Sequence, residues 1–171
     1  MRTGFLAFVG LIAIVVGILA AGFFFLGFFN VAATEKDPDF VNWSLIKVRQ
    51  ASIARHATDS PPGSLDDAAT VRAGARAYGT RGCPTCHGAP GVEWQKFSEG
   101  LNPDPPDLKE LVGERKPAEL FFVVKNGIKM TGMPSFKLAG MADPEIWSIV
   151  AFLKKLPTVS EADYKAWQAA P

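Results

Sequence analysis

Cysteine is scarce in this chain. Cys83 and Cys86 are the only two among 171 residues, which excludes a disulfide-stapled scaffold and demands a local explanation for the pair. A charge excess of either sign is missing too. Eighteen basic side chains stand against 17 acidic ones, a formal net charge of +1, so a nucleic-acid partner, which calls for a clear basic excess, is not expected. Proline is absent before Pro38, and charge is absent from Phe5 to Phe29. What fills that stretch is aliphatic and aromatic: seven of the 13 Phe residues precede position 30, while 12 of the 13 Pro residues follow position 60. The asymmetry predicts two regimes, one suited to lipid and one to a compact domain of ordinary size.

Residues 5–29, if helical throughout, reach about 37 Å at 1.5 Å per residue, enough to cross a hydrocarbon core of about 30 Å. Residues 1–34 therefore read as a single transmembrane anchor. Gly10, Gly17, Gly22 and Gly27 recur in it, but no two are four apart, so no GxxxG pair forms among them and they read as ordinary membrane-helix composition. Val31-Ala32-Ala33 would pass as a signal cleavage site. The apolar run, however, is longer than the 7–15 residues or so of a signal core, and a retained anchor is expected. No Cys follows the run, which excludes a lipoprotein anchor. Arg2 before the run, and Glu35, Asp37 and Asp39 against Lys36 after it, place the amino terminus in the cytoplasm and the remainder outside.

Residues 35–64 read as a juxtamembrane helix and a flexible linker. The helix should start after Pro38 and run to about Ala57, with Val41, Leu45, Val48 and Ala51 along one face and Ile46 and Ile53 beside it. Lys47, Arg49, Arg55 and His56 give it basic character. Two readings stand side by side: an interfacial helix with Trp43 at the headgroup level, or a spacer that packs on the domain. His56 reads as a solvated cation at the helix end. Ser60-Pro61-Pro62-Gly63-Ser64 then breaks regular structure, and a globular domain should occupy 65–171.

Both cysteines fall within Cys83-Pro84-Thr85-Cys86-His87. Two thiols three positions apart can add across the two vinyl groups of a haem, while the adjoining imidazole reaches the iron. A thioredoxin-like pair would need a βαβ context, but helical patterns surround this one. A structural zinc site needs four ligands, and only the distant His56 could join the three present. A plain disulfide leaves His87 unexplained. The spacing predicts one covalently attached haem.

Helical patterns flank the motif. Asp66 and Asp67 open a helix whose Val71, Gly74, Ala75 and Tyr78 make a close-approach face. Residues 88–107 are rich in Pro and Gly and poor in periodic apolar positions, as in a loop wrapped round a cofactor. Pro117 starts a helix with Leu120, Phe121 and Val124 inward, and Gly127 stops it. A nonhelical stretch, 126–136, precedes a last long helix from Asp143 to Pro157, with a short final turn after Ser160 carrying Tyr164 and Trp167.

Over about residues 66–157 this pattern resembles a class I c-type cytochrome of the small bacterial monohaem type, here with an N-terminal membrane anchor. The resemblance implies an all-α fold, a small helical cytochrome c domain around one covalent haem, preceded by the single transmembrane helix. It implies thioether links at Cys83 and Cys86, His87 as proximal iron ligand, and Met133 as distal ligand. Pro106, in Pro106-Asp107-Leu108, matches the proline whose carbonyl accepts the proximal imidazole N–H, with Pro105 close behind; Leu108 belongs to the same Pro-x-Leu stretch. Gly74 and Tyr78 match positions that pack on Ile149 and Phe152 of the last helix. Trp94 reads either as a partner for a haem propionate or as a buried structural tryptophan. Among the methionines, Gly132 and Pro134 favour Met133, since glycine lets the chain approach the haem and proline stiffens the residue before it. Met130 lacks both, and Met141 reads as core filling.

A His/Met pair leaves no open coordination position, and Met ligation raises the reduction potential. The expected role is a membrane-anchored carrier of single electrons between respiratory-chain partners, not an enzyme, with redox-protein donor and acceptor and no small-molecule substrate. The alternatives are a fixed cytochrome c subunit of a membrane oxidoreductase or terminal oxidase complex, and a haem-based sensor of small ligands. The expected location is the bacterial inner membrane, with the domain on the periplasmic or outer side. Arg115, Lys116, Lys125, Lys129 and Lys137, opposed in sequence by Glu119 alone, read as a basic docking rim for an acidic partner ahead of the alternative, an ordinary solvated face.

Overall fold

The computed structural model describes residues 2–169. The chain divides into two compact units, the first ending at Lys36 and the second beginning at Asp37.

The first unit is one helix, α1 (Arg2–Phe25), with no buried residue. Its 24 residues span about 36 Å, still enough for a bilayer core. It stops four residues short of Phe29, and the reason is Gly27. That residue takes φ +80°, a left-handed conformation open to glycine. There the Phe28 N–H donates back to the Phe23 carbonyl (3.1 Å) and the Gly27 N–H to that of Phe24 (3.3 Å). This paired closure satisfies carbonyls that would otherwise be left bare. Gly27 is a helix stop, not mere composition.

The second unit is all-α; among the described residues there is no strand, only one antiparallel bridge between Ala89 and Val92. It starts with α2 (Asp39–His56), set off by Pro38. The side of α2 that is partly buried carries Val41, Ile46, Arg49, Gln50 and Ile53. Leu45 and Val48, expected in its apolar stripe, are exposed. Next come α3 (Ala68–Thr80), α4 (Pro84–His87), α5 (Leu108–Leu111), α6 (Pro117–Asn126), α7 (Asp143–Lys155) and α8 (Glu161–Ala169). Asp67 caps α3 by accepting the Thr70 N–H at 2.8 Å. Pro117 and Pro144 occupy the first turns of α6 and α7, where a missing N–H costs nothing.

The frame is the crossing of α3 on α7. Gly74 makes it possible: a Cβ there would stand 1.8 Å from the Ser148 carbonyl oxygen. Tyr78 packs against Phe152 (ring centroids 5.3 Å), and Phe152 against Tyr164 of α8 (5.7 Å). Phe121 of α6 stacks on Trp147 of α7 at 4.1 Å. Phe121, Phe152, Ile146 and Val150 are wholly buried, and each such side chain taken out of water contributes about 1.5–3 kcal/mol. Arg81 at the end of α3 makes a two-pronged ion pair with Glu145 of α7 (2.7 and 2.8 Å). The last element is a full helix, not a short turn, because Gln168 donates to the Ala75 carbonyl at 2.6 Å and ties α8 to α3.

Candidate cofactor site

One cleft in the second unit gathers the chemistry. Cys83, Cys86, His87, Pro105, Pro106, Leu108 and Met133 all line it, with Leu120, Val124, Ile149 and Leu153 among its apolar walls.

The cysteine motif is a single helical turn. Pro84 starts α4, and the Cys86 and His87 N–H groups both donate to the Cys83 carbonyl (3.3 and 3.1 Å). Residues three and four apart share a helix face, so both thiols and the imidazole are presented together. Tyr78 positions that turn: its hydroxyl donates to the Gly88 carbonyl at 2.7 Å, and its own carbonyl accepts the Cys83 N–H at 3.1 Å. Burial pushes the tyrosine hydroxyl far above its ordinary pKa, which keeps it a donor. The two thiols are free. Burial pushes that of Cys83 up to about 12, so it is held in the protonated form.

His87 is fixed from behind. Its Nδ1 lies 3.1 Å from the Pro106 carbonyl oxygen, and since a carbonyl only accepts, Nδ1 carries the proton and Nε2 keeps a free lone pair. Burial lowers the pKa of the ring and the Pro106 carbonyl opposes that shift. The outcome is an oriented imidazole with one nitrogen available to a metal, the arrangement that raises ligand basicity. Asp107 accepts the Lys109 N–H at 2.7 Å and caps α5, burying Leu108 at its start.

Met133 sits on a loop strapped to the end of α6. The Ile128 N–H donates to the Met133 carbonyl (3.1 Å), the Phe136 N–H to that of Val124 (3.3 Å), and the Ser135 hydroxyl to that of Lys125 (2.9 Å). Thr131 donates to the Ile128 carbonyl and accepts the Met133 N–H (2.8 and 3.1 Å). Gly127, at φ +68°, allows the close contact: a Cβ there would lie 2.6–2.7 Å from the backbone of Met133, Pro134 and Ser135. Met130 is 94% exposed and does not line the cleft; Met141 is 3% exposed, in the core.

Other expected residues fall elsewhere. Trp94 does not line the cleft; it is half exposed, and its indole N–H donates to Glu99 at 3.4 Å. Lys125 is no rim cation: it pairs with Asp143 (2.8 Å) and Asp59 (3.6 Å) and lies over the Phe121 ring at 4.8 Å. Asp143 and Asp59 come from distant parts of the chain, so local charge counting saw only Glu119. His56 stacks on Phe122 of α6 at 6.2 Å. Gly127 and Thr131 support the Met133 loop, and α2 adds Arg49 and Ile53 to the cleft wall. Of these only Gly127 had a visible signal, as a helix stop.

Two thiols on one face of a turn, an imidazole with a free Nε2 and a thioether, all lining one apolar cleft, fit a covalently attached haem. Among the described residues no cluster of three or more His, Cys, Asp and Glu gathers round a point, so the donor set is not that of a bare zinc site.

Residues 69–153 match the family model described as cytochrome C oxidase, cbb3-type, subunit III. The matched segment holds every cleft residue of the cysteine motif, Pro106, Leu108 and Met133, and leaves out α1, α2 and α8. No curated protein and no solved structure matches the chain.

Proposed function

Residues 69–153 make this chain a c-type cytochrome, and from that premise we propose that it carries single electrons through one His/Met-ligated haem, tethered to the membrane by α1. Bound haem supplies a one-electron ferric/ferrous couple. Every other part of the work falls to the chain. The Cys83 and Cys86 thiols would hold it, each adding across one vinyl group with its hydrogen going to the neighbouring carbon, an addition that needs no oxidant. His87 would offer Nε2 to the iron because Pro106 holds the proton on Nδ1. Met133 offers its thioether from a loop that Gly127 and Thr131 keep against α6. His87 and Met133 would together hold the iron and leave it no position for a substrate, so the chemistry supplied would be electron exchange alone. The apolar walls hold water off, which favours the less charged ferrous state.

The observation that carries this reading is the oriented His87 in the same cleft as Met133. Its test is a redox titration of the full chain in mild detergent, with haem content read from the alkaline pyridine spectrum. One haem per chain and a single one-electron wave are expected; two haems, or haem that extracts into acidic organic solvent, overturns it.

The family match favours a second reading, a fixed subunit of a cbb3-type oxidase. Purification from native membranes separates the two. Oxidase subunits in constant ratio support the subunit, and a chain that elutes alone supports the carrier. On either reading α1 is a retained anchor and the domain lies on the outer side of the membrane, so protease added to spheroplasts should release it.

A further inference from the structure

The cleft has a wall outside the family-matched segment, and that wall brings a charge. Arg49 and Ile53 of α2 line the cleft together with the cytochrome residues. The helix is pinned where it meets α6: His56 stacks on Phe122, and Asp59, just beyond the helix, reaches Lys125. Arg49 lies seven residues before His56, which is two turns along nearly the same face. The placement of Arg49 therefore follows from a docked helix.

The cleft is mainly apolar, and its only lining cations are Arg49 and Arg115. Both are partly buried, and neither pairs with a carboxylate among the described residues. Two carboxylates also line the cleft, but Asp104 is exposed, and Glu119 is engaged by the Lys116 N–H at the start of α6 (3.0 Å). A partly buried guanidinium without an anion is an incomplete arrangement. A haem carries two propionates, and the cleft holds two uncommitted arginines. Guanidinium forks suit carboxylates, which they grip in two-pronged fashion.

We infer that α2 is part of the cofactor site, with Arg49 acting with Arg115 as the cationic partners of the haem propionates; this rests on the haem reading above. Arg49 is a positioning and charge-balancing residue, with no part in ligating the iron. One consequence is that the helix next to the anchor is bonded to the redox centre, so a change in how α2 is held would be felt as a change in potential. The sign follows from charge. A neutralised propionate stabilises ferric iron less, so removing the arginine favours the ferric state and lowers the potential.

The test uses the full chain in detergent, with covalent haem verified first. Wild type without covalent haem defeats the reading on which this inference rests; haem present with no Arg49 effect defeats only the inference. Arg49→Gln is compared with Arg55→Gln, a change at an exposed position of the same helix that does not line the cleft. Arg49→Gln should shift the reduction equilibrium about three- to tenfold toward the ferric form, a midpoint lower by about 30–60 mV at 59 mV per tenfold for one electron. It should also move the propionate bending bands in the resonance Raman spectrum. Arg49→Lys should recover part of the shift, and Arg55→Gln should do neither. Arg49→Met, which keeps the packing of the stem, carries the same expectation if Arg49→Gln does not accumulate. A midpoint and Raman spectrum for the neutral Arg49 variant equal to those of Arg55→Gln overturn the assignment.

Discussion

Glycine plays opposite parts in the two units. In α1, a Cβ added at Gly4, Gly10 or Gly17 would meet nothing within 4 Å. In the cytochrome unit, one added at Gly74 would meet a backbone carbonyl at 1.8 Å, and one at Gly127 a backbone carbon at 2.6 Å. A single helix in lipid satisfies its backbone internally and asks of its side chains only that they be apolar. The compact unit instead needs named atoms at named places, because its helices must approach closely enough to wall a cleft. Along α1 composition suffices until the Gly27 stop, whereas the second unit is specified by position.

The strongest test of that contrast is the cysteine pair. Cys83→Ala with Cys86→Ala should abolish covalent haem, seen as loss of haem staining on denaturing gels, although the double change removes only two sulfur atoms. Retention of staining would show that Cys83 and Cys86 do not hold the haem. Met133→Ala against Met130→Ala sharpens the contrast within one loop. The first should remove the weak red absorption of Met-ligated ferric haem and open the reduced protein to carbon monoxide. The second, at an exposed side chain, should leave the spectrum intact and stability within about 0.5 kcal/mol. The reverse pattern would move the ligand to Met130.

Gly74→Ala should cost about 3 kcal/mol, the upper range for overpacking, since the obstacle is backbone of α7 and not a side chain free to swing. For a domain of this size that lowers Tm by more than about 10 °C in calorimetry. Gly127→Ala combines a positive φ with backbone contact and should cost about 2 kcal/mol. Unlike Gly74→Ala, it should also weaken the red absorption band, because it displaces the strap that carries Met133. At the small end, Gly10→Ala in α1 should leave both membrane retention and the Tm of the cytochrome unit unchanged within about 0.5 kcal/mol. A larger effect would mean that α1 has a packed partner and is not specified by composition alone.

Legibility followed the same divide. The membrane-length run was readable because length and apolar composition are properties of every residue in it. Even there Gly27 reads as ordinary composition, since a helix stop of this kind is a backbone conformation and leaves no mark in hydropathy. In the second unit the starts of α3, α6 and α7 were visible through Asp67, Pro117 and Pro144, whose effects are local. The short α5 was not visible: it is one turn, held by the Asp107 cap and by the burial of Leu108. The length of α8 was missed because its decisive contact, Gln168 on Ala75, spans 93 positions. The packed face of α2 was misjudged for a related reason. Its partner surface lies on α6, and apolar spacing alone did not show that Arg49 and Gln50 lie on the buried side while Leu45 and Val48 face solvent.

The amino-acid sequence by itself determined the chemistry available to this protein: a span long enough for a bilayer, a pair of thiols next to an imidazole at haem-attachment spacing, and a methionine between glycine and proline. These are properties of neighbours along the chain, and covalent connection enforces them before any folding. Tertiary structure alone decided which groups share the cleft. It put the Pro106 carbonyl behind His87, sent Met130 to solvent and brought Met133 to the cleft. It spent the charge of Lys125 on Asp143 and Asp59, and turned Arg49 of a helix outside the matched domain toward the cofactor site. Those outcomes depend on distances between segments far apart in sequence, set by how closely α3 and α7 can cross at Gly74 and by what α6 then has left to hold.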